Sequence, residues 1–173
     1  MIVCFGDSIT YGQGLQDPTK DAFPALLAEM LKCPVSNRGY CGDTTRIALE
    51  RFPRDVQESG ARVVAIQFGH NDCNAWGSDR GHPRVALGAF AENLKEMRDR
   101  AELFGMACIF LTPHSTGLDA EYENRRKRYA MAMPGVGTTV VLPKVDLLDH
   151  IHPNERGHIA IAALAARYIK ERL

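Results

Sequence analysis

Short apolar runs alternate with longer amphipathic stretches along this 173-residue chain, and this alternation restricts the possible folds more than any other feature. Continuous apolar runs are typical of strands buried on both faces of a parallel sheet. Amphipathic stretches between them are typical of helices that pack on such a sheet. The pattern therefore predicts an α/β fold with a parallel sheet of about five strands. The predicted strands are 2–5, 34–38, 63–68, 107–111 and 138–143.

The predicted helices fall between and after these strands. Apolar residues spaced by three and four predict a long helix from Leu87 to Phe104, with Gly105 as its stop. A second helix is predicted from the N-cap Asn154 to the end of the chain. Shorter helices are predicted over 22–32, 44–59 and 119–133. The basic cluster at 125–128 is expected to be solvated surface.

Length and charge limit the number of domains and the kinds of partner. One domain averages roughly 150 residues, so a single domain over 1–173 is predicted. Lys and Arg number 21 and so do Asp and Glu, which favours neither nucleic acid nor an anionic membrane as a partner. No apolar run reaches the roughly 20 residues of a membrane span, and no secretory signal is evident. A cytoplasmic location is therefore expected.

The five cysteines are scattered and form no CxxC pair. This distribution favours free thiols in a reducing compartment over a disulfide framework or a zinc site.

Polar and glycine residues crowd the segments that follow the predicted strands. In parallel α/β folds, ligands bind beyond the carboxyl ends of the strands, where the connecting loops converge. The sequence therefore predicts a functional site at this rim of the sheet. The segments are GDSITYG, GYCGDTT, GHNDCNAW, TPHSTG and KVDLLDHIHPN.

Ser8 is the candidate nucleophile because it follows a predicted buried strand and lies between two glycines. The alternative is that Asp7 or Ser8 caps the following helix. Among the six histidines, His152 is singled out because Asp149 precedes it by three residues. Asp149 can fix the tautomer of His152, whose other nitrogen can then take the proton of Ser8.

Acyl transfer also needs donors that stabilise a developing oxyanion. The candidates are the N–H groups of Ser8 and Gly42 and the side-chain amide of Asn71. The alternative is ordinary structure, since a glycine before Asp-Thr is a common helix cap and Asn-Asp a common turn.

Two histidine groups could also be metal ligands: Asp149 with His150 and His152, and His70 with Asp72. Neither group has the complete ligand set or the spacing of a common zinc site. No metal or other cofactor is predicted.

Four blocks together resemble the SGNH hydrolases, also called GDSL esterases. In order they are Gly6-Asp7-Ser8, the segment 37–44, Gly69-His70-Asn71-Asp72 and the segment 149–154. The resemblance spans nearly the whole chain. It implies a flavodoxin-like three-layer α/β/α fold and hydrolysis of carboxylic esters through an acyl-enzyme, without a cofactor. It also implies a role for each site residue: Ser8 as nucleophile, His152 as base, Asp149 as its orienting acid, and Ser8, Gly42 and Asn71 as oxyanion donors.

The chain departs from the common family pattern at three points. GDSI replaces GDSL, which is a conservative change, and GHND resembles the variant of rhamnogalacturonan acetylesterases. VDLLDHIHPN lacks the usual spacer, so Asp146 becomes a rival for the role of Asp149. The missing spacer also suggests a compact, open site.

The expected substrate is a small-molecule ester with a short acyl group, especially the acetyl ester of a carbohydrate or another small alcohol. His70, Trp76 and Tyr122 are predicted to line its pocket. A thioesterase, a lysophospholipase or an acyltransferase would use the same triad, and a non-catalytic flavodoxin-like binding module is a further alternative. The sequence does not decide among these or fix the oligomeric state.

Overall fold

Five parallel strands form the central layer of the protein. Its structure is a computed structural model that describes residues 1–173. The strands are β1 (Ile2–Gly6), β2 (Val35–Gly39), β3 (Val63–Gln67), β4 (Ala107–Leu111) and β5 (Thr139–Val140). They lie in the order β2-β1-β3-β4-β5. This is the flavodoxin-like order, in which the loops after β1 and its neighbours converge at one rim.

Helices cover both faces of the sheet. They are α1 (Ser8–Tyr11), α2 (Pro18–Asp21), α3 (Phe23–Leu31), α4 (Thr45–Asp55), α5 (Leu87–Leu103), α6 (Ala120–Ala132) and α7 (Glu155–Lys170), with short 3₁₀ turns at Gln57–Ser59, Gly77–Asp79 and Met133–Gly135. None of them has both the length and the apolar character that a membrane span requires.

Two separate hydrophobic clusters hold the three layers together. Side chains alternate between the two faces along a strand, so Val3 and Phe5 of β1 pack toward α4, α5 and α6. Ile2 and Cys4 pack on the opposite face, toward α3 and α7. The predicted three-layer α/β/α sandwich is confirmed.

The two outer strands differ from the sequence prediction. β2 pairs with β1 alone, and it is less buried than β1 and β3. The predicted strand 138–143 is reduced to Thr139–Val140. It ends there because the Leu142 N–H donates to the Thr112 side chain at 2.9 Å, and because Pro143 has no N–H to continue a ladder.

The expectation of a fully solvated basic cluster at 125–128 is wrong at Arg126. This side chain is buried, donates to the Pro113 carbonyl at 2.8 Å and pairs with Glu123 at 3.0 Å. Burial of an arginine requires such partners. Arg126 therefore attaches α6 to the loop that follows β4.

Candidate active site

Ser8 lies where β1 ends and the single turn of α1 begins. Asp7 caps this turn, since its Oδ1 accepts the Ile9 N–H at 2.9 Å. Gly6 is required because a Cβ there would lie 2.1 Å from the Thr10 hydroxyl. The two sequence interpretations are therefore compatible: Asp7 caps the helix, and the Ser8 side chain remains at the rim.

Ser8, His152 and Asp149 form one continuous hydrogen-bonded chain. His152 Nε2 lies 3.1 Å from Ser8 Oγ, and His152 Nδ1 lies 2.8 Å from Asp149 Oδ2. Because an ionised carboxylate only accepts, the Nδ1 atom carries the proton and Nε2 is free to accept one from the serine. Both ring nitrogens of His152 are used in this way.

The Asp149 carboxylate also shapes the loop that carries His152. Its Oδ1 accepts the main-chain N–H groups of Ile151 and His152, each at 2.7 Å. Partial burial raises the pKa of Asp149, but the hydrogen bonds from the His152 ring and from these two N–H groups outweigh it and hold the pKa at about 2. Asp149 is therefore ionised at neutral pH.

Asp146, the other candidate for the orienting acid, makes no hydrogen bond to His152. Its carboxylate lies 3.5 Å from the Arg156 guanidinium at the surface, and its carbonyl accepts the Asn154 N–H at 3.0 Å. Asp146 therefore closes the base of the loop, whereas Asp149 contacts His152.

Gly42 lies on the turn after β2, which the Tyr40 N–H attaches to the Gly6 carbonyl at 3.0 Å. Gly42 has a φ of 81°, a left-handed conformation that favours glycine. Its N–H donates to no other main-chain group. The Ser8 N–H, in the first position of α1, has no acceptor within the helix. Both N–H groups are therefore available to a ligand.

Asn71 follows β3 and is oriented from both sides. Its Nδ2 lies 3.5 Å from Asp7 Oδ2, and its Oδ1 accepts from Arg84 at 3.3 Å. An amide nitrogen carries two hydrogens, so the second remains available at the rim. Asn71 is thereby linked to the residue that precedes Ser8.

Trp76 is half exposed and connects to the site through one arginine. The Arg84 guanidinium that contacts Asn71 also lies 5.1 Å from the centroid of the Trp76 ring. Trp76 therefore remains a candidate platform for a substrate.

Asp7 carries an unusual charge state. Burial is the main cause that raises its pKa to about 8; the nearby carboxylates of Asp72 and Asp43 act in the same direction, and the hydrogen bond from Ile9 opposes them. A neutral carboxyl beside the serine limits the negative charge that a developing oxyanion would face.

Sequence reasoning missed Arg51, which fixes the serine turn and the Gly42 turn together. The Arg51 guanidinium donates to the carboxylates of Asp43 and Asp55 at 2.7 and 2.8 Å. It also donates to the Gly6 carbonyl at 3.0 Å and lies 4.2 Å from the Tyr40 ring centroid. The spacing of Arg51 and Asp55 by four on a helix indicates an ion pair, but no local signal reveals the contact with Gly6.

His70 and Tyr122 do not line an open pocket, and the prediction that they do is corrected here. His70 is 2% and Tyr122 3% exposed. The Tyr122 hydroxyl lies 3.1 Å from His70 Nδ1, and His70 Nε2 lies 3.3 Å from His114 Nδ1. Their polar atoms are occupied inside the protein, because buried polar groups need partners.

A cavity of about 780 Å³ lies along the open edge of β2. It reaches Cys41, which directly precedes Gly42, and Tyr11, which ends the helical turn that Ser8 begins. Its walls combine aromatic, small apolar and charged residues, including Tyr11, Tyr40, Pro24, Ala28, Lys20 and Glu29.

Comparisons with known proteins agree with this geometry. The sequence profile of the GDSL-like Lipase/Acylhydrolase family matches residues 4–160. The crystal structure of the lipase/acylhydrolase from Enterococcus faecalis superposes with a TM-score of 0.81 at 27% identity, covering 99% of this chain and 96% of that one.

Two curated relatives are similar over part of their length. The uncharacterized lipoprotein YqeF of Bacillus subtilis is 33% identical over 116 residues, which cover 64% of this chain and 47% of YqeF. The isoamyl acetate-hydrolyzing esterase 1 homolog of Bos taurus is 37% identical over 102 residues, which cover 56% of this chain and 39% of that protein. The matches thus span less than half of each curated relative.

Proposed function

The chain belongs to the GDSL-like lipase/acylhydrolase family, and on this premise we propose that it hydrolyses carboxylic esters with Ser8 as nucleophile. One observation carries the proposal: the unbroken hydrogen-bonded chain from Asp149 through His152 to Ser8. A serine hydroxyl is a weak nucleophile until a positioned base takes its proton. Here the base is within hydrogen-bond reach of the serine, and a carboxylate fixes its tautomer.

The first half of the reaction forms an acyl-enzyme. Ser8 Oγ attacks the ester carbonyl carbon while His152 Nε2 takes the hydroxyl proton. The carbonyl oxygen becomes an oxyanion, which the N–H groups of Ser8 and Gly42 and the amide of Asn71 stabilise. The C–O bond of the ester then breaks, and His152 returns the proton to the departing alcohol.

The second half releases the acid. Water replaces the alcohol and attacks the acyl carbon, and His152 takes a proton from that water. The same donors stabilise the second oxyanion. Cleavage of the bond to Ser8 Oγ releases the carboxylic acid, and the proton on His152 restores the serine hydroxyl.

We assign short-chain esters, especially acetyl esters of a small alcohol, as the substrate class. The bovine relative is named for isoamyl acetate, an acetyl ester of a small alcohol. The GHND block points the same way, through its resemblance to acetylesterases of sugars. We place the alcohol portion in the cavity along β2, because that cavity is lined by Cys41, which precedes Gly42, and by Tyr11, which ends the turn that Ser8 begins.

A substrate panel tests this assignment. We expect kcat/KM to decrease from acetyl to butyryl to long-chain esters of the same alcohol, and thioesters to react more slowly than the matching esters. Free acid should remain the main product when a competing alcohol is added. A preference for long-chain or thioester substrates, or transfer of the acyl group to the added alcohol, would contradict the assignment.

The place of the alcohol portion can be tested separately. Ala28→Trp fills the cavity along β2 without altering the serine, its base or the oxyanion donors. We expect kcat/KM to decrease by about tenfold for acetates of bulky alcohols, since a few lost apolar contacts are worth about 1–3 kcal/mol. Methyl acetate should react unchanged. Equal losses for both substrates would place the alcohol elsewhere.

A further inference from the structure

The loop that carries Asp149 and His152 has no regular secondary structure, yet its main chain is anchored at three successive carbonyls. The His150 carbonyl accepts the Gly117 N–H at 2.7 Å, and the His152 carbonyl accepts the Leu148 N–H at 2.8 Å. The Ile151 carbonyl accepts from a side chain, His114 Nε2, at 2.9 Å. Of these three carbonyls, that of Ile151 is the one held by a side chain, His114.

His114 belongs to a buried row of polar groups that ends at α6. His114 Nδ1 faces His70 Nε2 at 3.3 Å, and the two ring centroids are 4.5 Å apart. His70 Nδ1 faces the Tyr122 hydroxyl at 3.1 Å, and that hydroxyl also lies 3.0 Å from the His70 carbonyl. His114 and His70 are 0% and 2% exposed, so these bonds are shielded from bulk solvent.

The direction of the hydrogen bonds from Ile151 to His70 follows from the end of the row at the Ile151 carbonyl. A carbonyl oxygen only accepts, so His114 Nε2 must carry a proton, and Nδ1 of a neutral ring then only accepts. His70 Nε2 must therefore carry a proton, and its Nδ1 in the neutral ring is an acceptor beside the Tyr122 hydroxyl, whose one hydrogen also faces the His70 carbonyl. A second proton on His114 would place two donors against each other at the contact between His114 Nδ1 and His70 Nε2.

The surroundings keep both rings neutral. Burial lowers the pKa of His114 to about 4, although its hydrogen bond to the Ile151 carbonyl opposes the shift. Burial also lowers the pKa of His70 well below its ordinary value. The neutral, directed arrangement is therefore the form present at neutral pH.

We propose that His114, aligned by His70, is a positioning residue that holds the Ile151 carbonyl and thereby keeps His152 at hydrogen-bond distance from Ser8. This inference rests on the function proposed above. It gives His70 of the GHND block a supporting role in place of a substrate contact. It also connects the segment after β3, which carries Asn71, with the loop that carries the base.

The first test is made on the unaltered protein. ¹⁵N NMR of the histidine side chains at pH 7 should show both His114 and His70 as neutral rings protonated at Nε2. A ring protonated at Nδ1, or a charged ring, at either position would overturn the proposal. The measurement does not depend on ester hydrolysis, so its failure is distinct from a failure of the proposed function.

The second test separates positioning from general stability. His114→Leu removes the donor, and we expect kcat to decrease by about 10–10²-fold, as small misplacements of catalytic groups do, with KM changed less than about threefold. His114→Gln keeps an N–H donor at the same distance along the side chain, and it should recover most of the lost kcat. If His114→Leu does not fold, the comparison of His114→Gln with the unaltered protein, together with the NMR test, still decides.

His158 supplies the matched control. It is equally buried, and its Nδ1 accepts the Phe23 N–H at 3.1 Å, so its side-chain hydrogen bond is to α3 and not to the loop that carries Asp149 and His152. His158→Leu should lower Tm about as much as His114→Leu does. Its kcat should stay within about twofold of the unaltered protein, because residues that share no partners act independently of each other. Equal kcat values for the two leucine variants, or no recovery with His114→Gln, would contradict a positioning role.

Discussion

The serine and the histidine that meet at this site are held by different kinds of structure. Ser8 follows a central strand, and close packing fixes its turn: a Cβ at Gly39 would lie 2.1 Å from the Tyr11 nitrogen. His152 lies on an irregular loop whose Asp149 side chain is 53% exposed. On the serine side, the turn after β1, close packing leaves no room for added side-chain volume. On the histidine side, the loop with Asp149 and His152, the geometry depends on particular hydrogen-bond donors.

This difference indicates how each side should fail. Damage on the serine side, where Asp7 is buried and the Arg51 side chain is only 10% exposed, should appear mainly as lost stability. Damage on the histidine side should appear mainly as lost turnover in a folded protein, because a few hydrogen bonds on an exposed loop add little to overall stability. Substitutions can compare the two sides. Removal of Ser8 or of His152 should lower turnover equally, whereas the other changes should separate the two sides.

Removal of either reacting group should have the largest effect. We expect Ser8→Ala and His152→Ala each to reduce kcat by on the order of 10⁴-fold or more, since the members of such a unit act together. The double variant should be little worse than either single one. Initial rates on a chromogenic acetate measure this, and additive losses in the double variant would show that the two residues act independently.

On the histidine side, Asp149→Asn should reduce kcat by on the order of 10³–10⁴-fold. The asparagine oxygen can still accept the loop N–H groups, but its NH₂ group cannot accept the His152 proton, so the wrong tautomer is favoured. Asp146→Asn is the matched control, because that carboxylate faces solvent and Arg156. Its kcat should be nearly unchanged, and a larger loss there than at Asp149 would reverse the assignment.

On the serine side, Arg51→Met should cost about 3 kcal/mol of unfolding free energy, because the buried carboxylate of Asp55 then keeps only Arg54 as its charged partner. The Asp55 side chain is only 1% exposed. Arg54→Met removes a partner of the same carboxylate, but Arg54 is 66% exposed, so its loss should be smaller. Urea unfolding of both variants measures the two unfolding free energies. Equal decreases would contradict the claim that Arg51 stabilises the fold more than Arg54 does.

The smallest expected effect concerns the pH dependence of stability. The pKa of Asp7 in the folded protein is about 8, above the value of about 3.9 for an unfolded aspartate. The folded state therefore holds this proton longer, and stability falls as pH rises from about 4 to 8. Asp7→Asn keeps the helix cap without the charge.

Unfolding free energies at pH 5 and pH 8 test this prediction. We expect the Asp7→Asn variant to lose less stability over this range than the unaltered protein, by on the order of 2 kcal/mol. Parallel pH profiles for the two proteins would show that the Asp7 carboxyl is ionised at pH 5 already.

Some of this architecture is readable from the sequence because its signals are local. The continuous apolar run at 63–68 and the three-and-four spacing after Leu87 each reflect burial of one element, and both elements occur as predicted. The contact of Ser8 with His152 could also be anticipated, since residues that follow parallel strands meet at one rim.

Other features depend on contacts that no short stretch of sequence encodes. His70 and Tyr122 lie in segments that reach the rim, but whether a side chain there faces a ligand or the interior depends on the packing of α6. In the sequence, Arg51 is simply one polar residue of an amphipathic helix. Its hydrogen bond to the Gly6 carbonyl joins positions that are 45 residues apart. Strand β5 is short because Thr112 supplies an acceptor from another element.

Covalent labelling tests the central claim most directly. The protein is treated with a fluorophosphonate, which forms a stable bond to an activated serine oxygen, and the modified peptide is identified by mass spectrometry. We predict one adduct, on Ser8, which is absent in Ser8→Ala and forms far more slowly in His152→Ala. An adduct on another residue, or undiminished labelling of Ser8→Ala, would contradict the claim that Ser8 is the nucleophile.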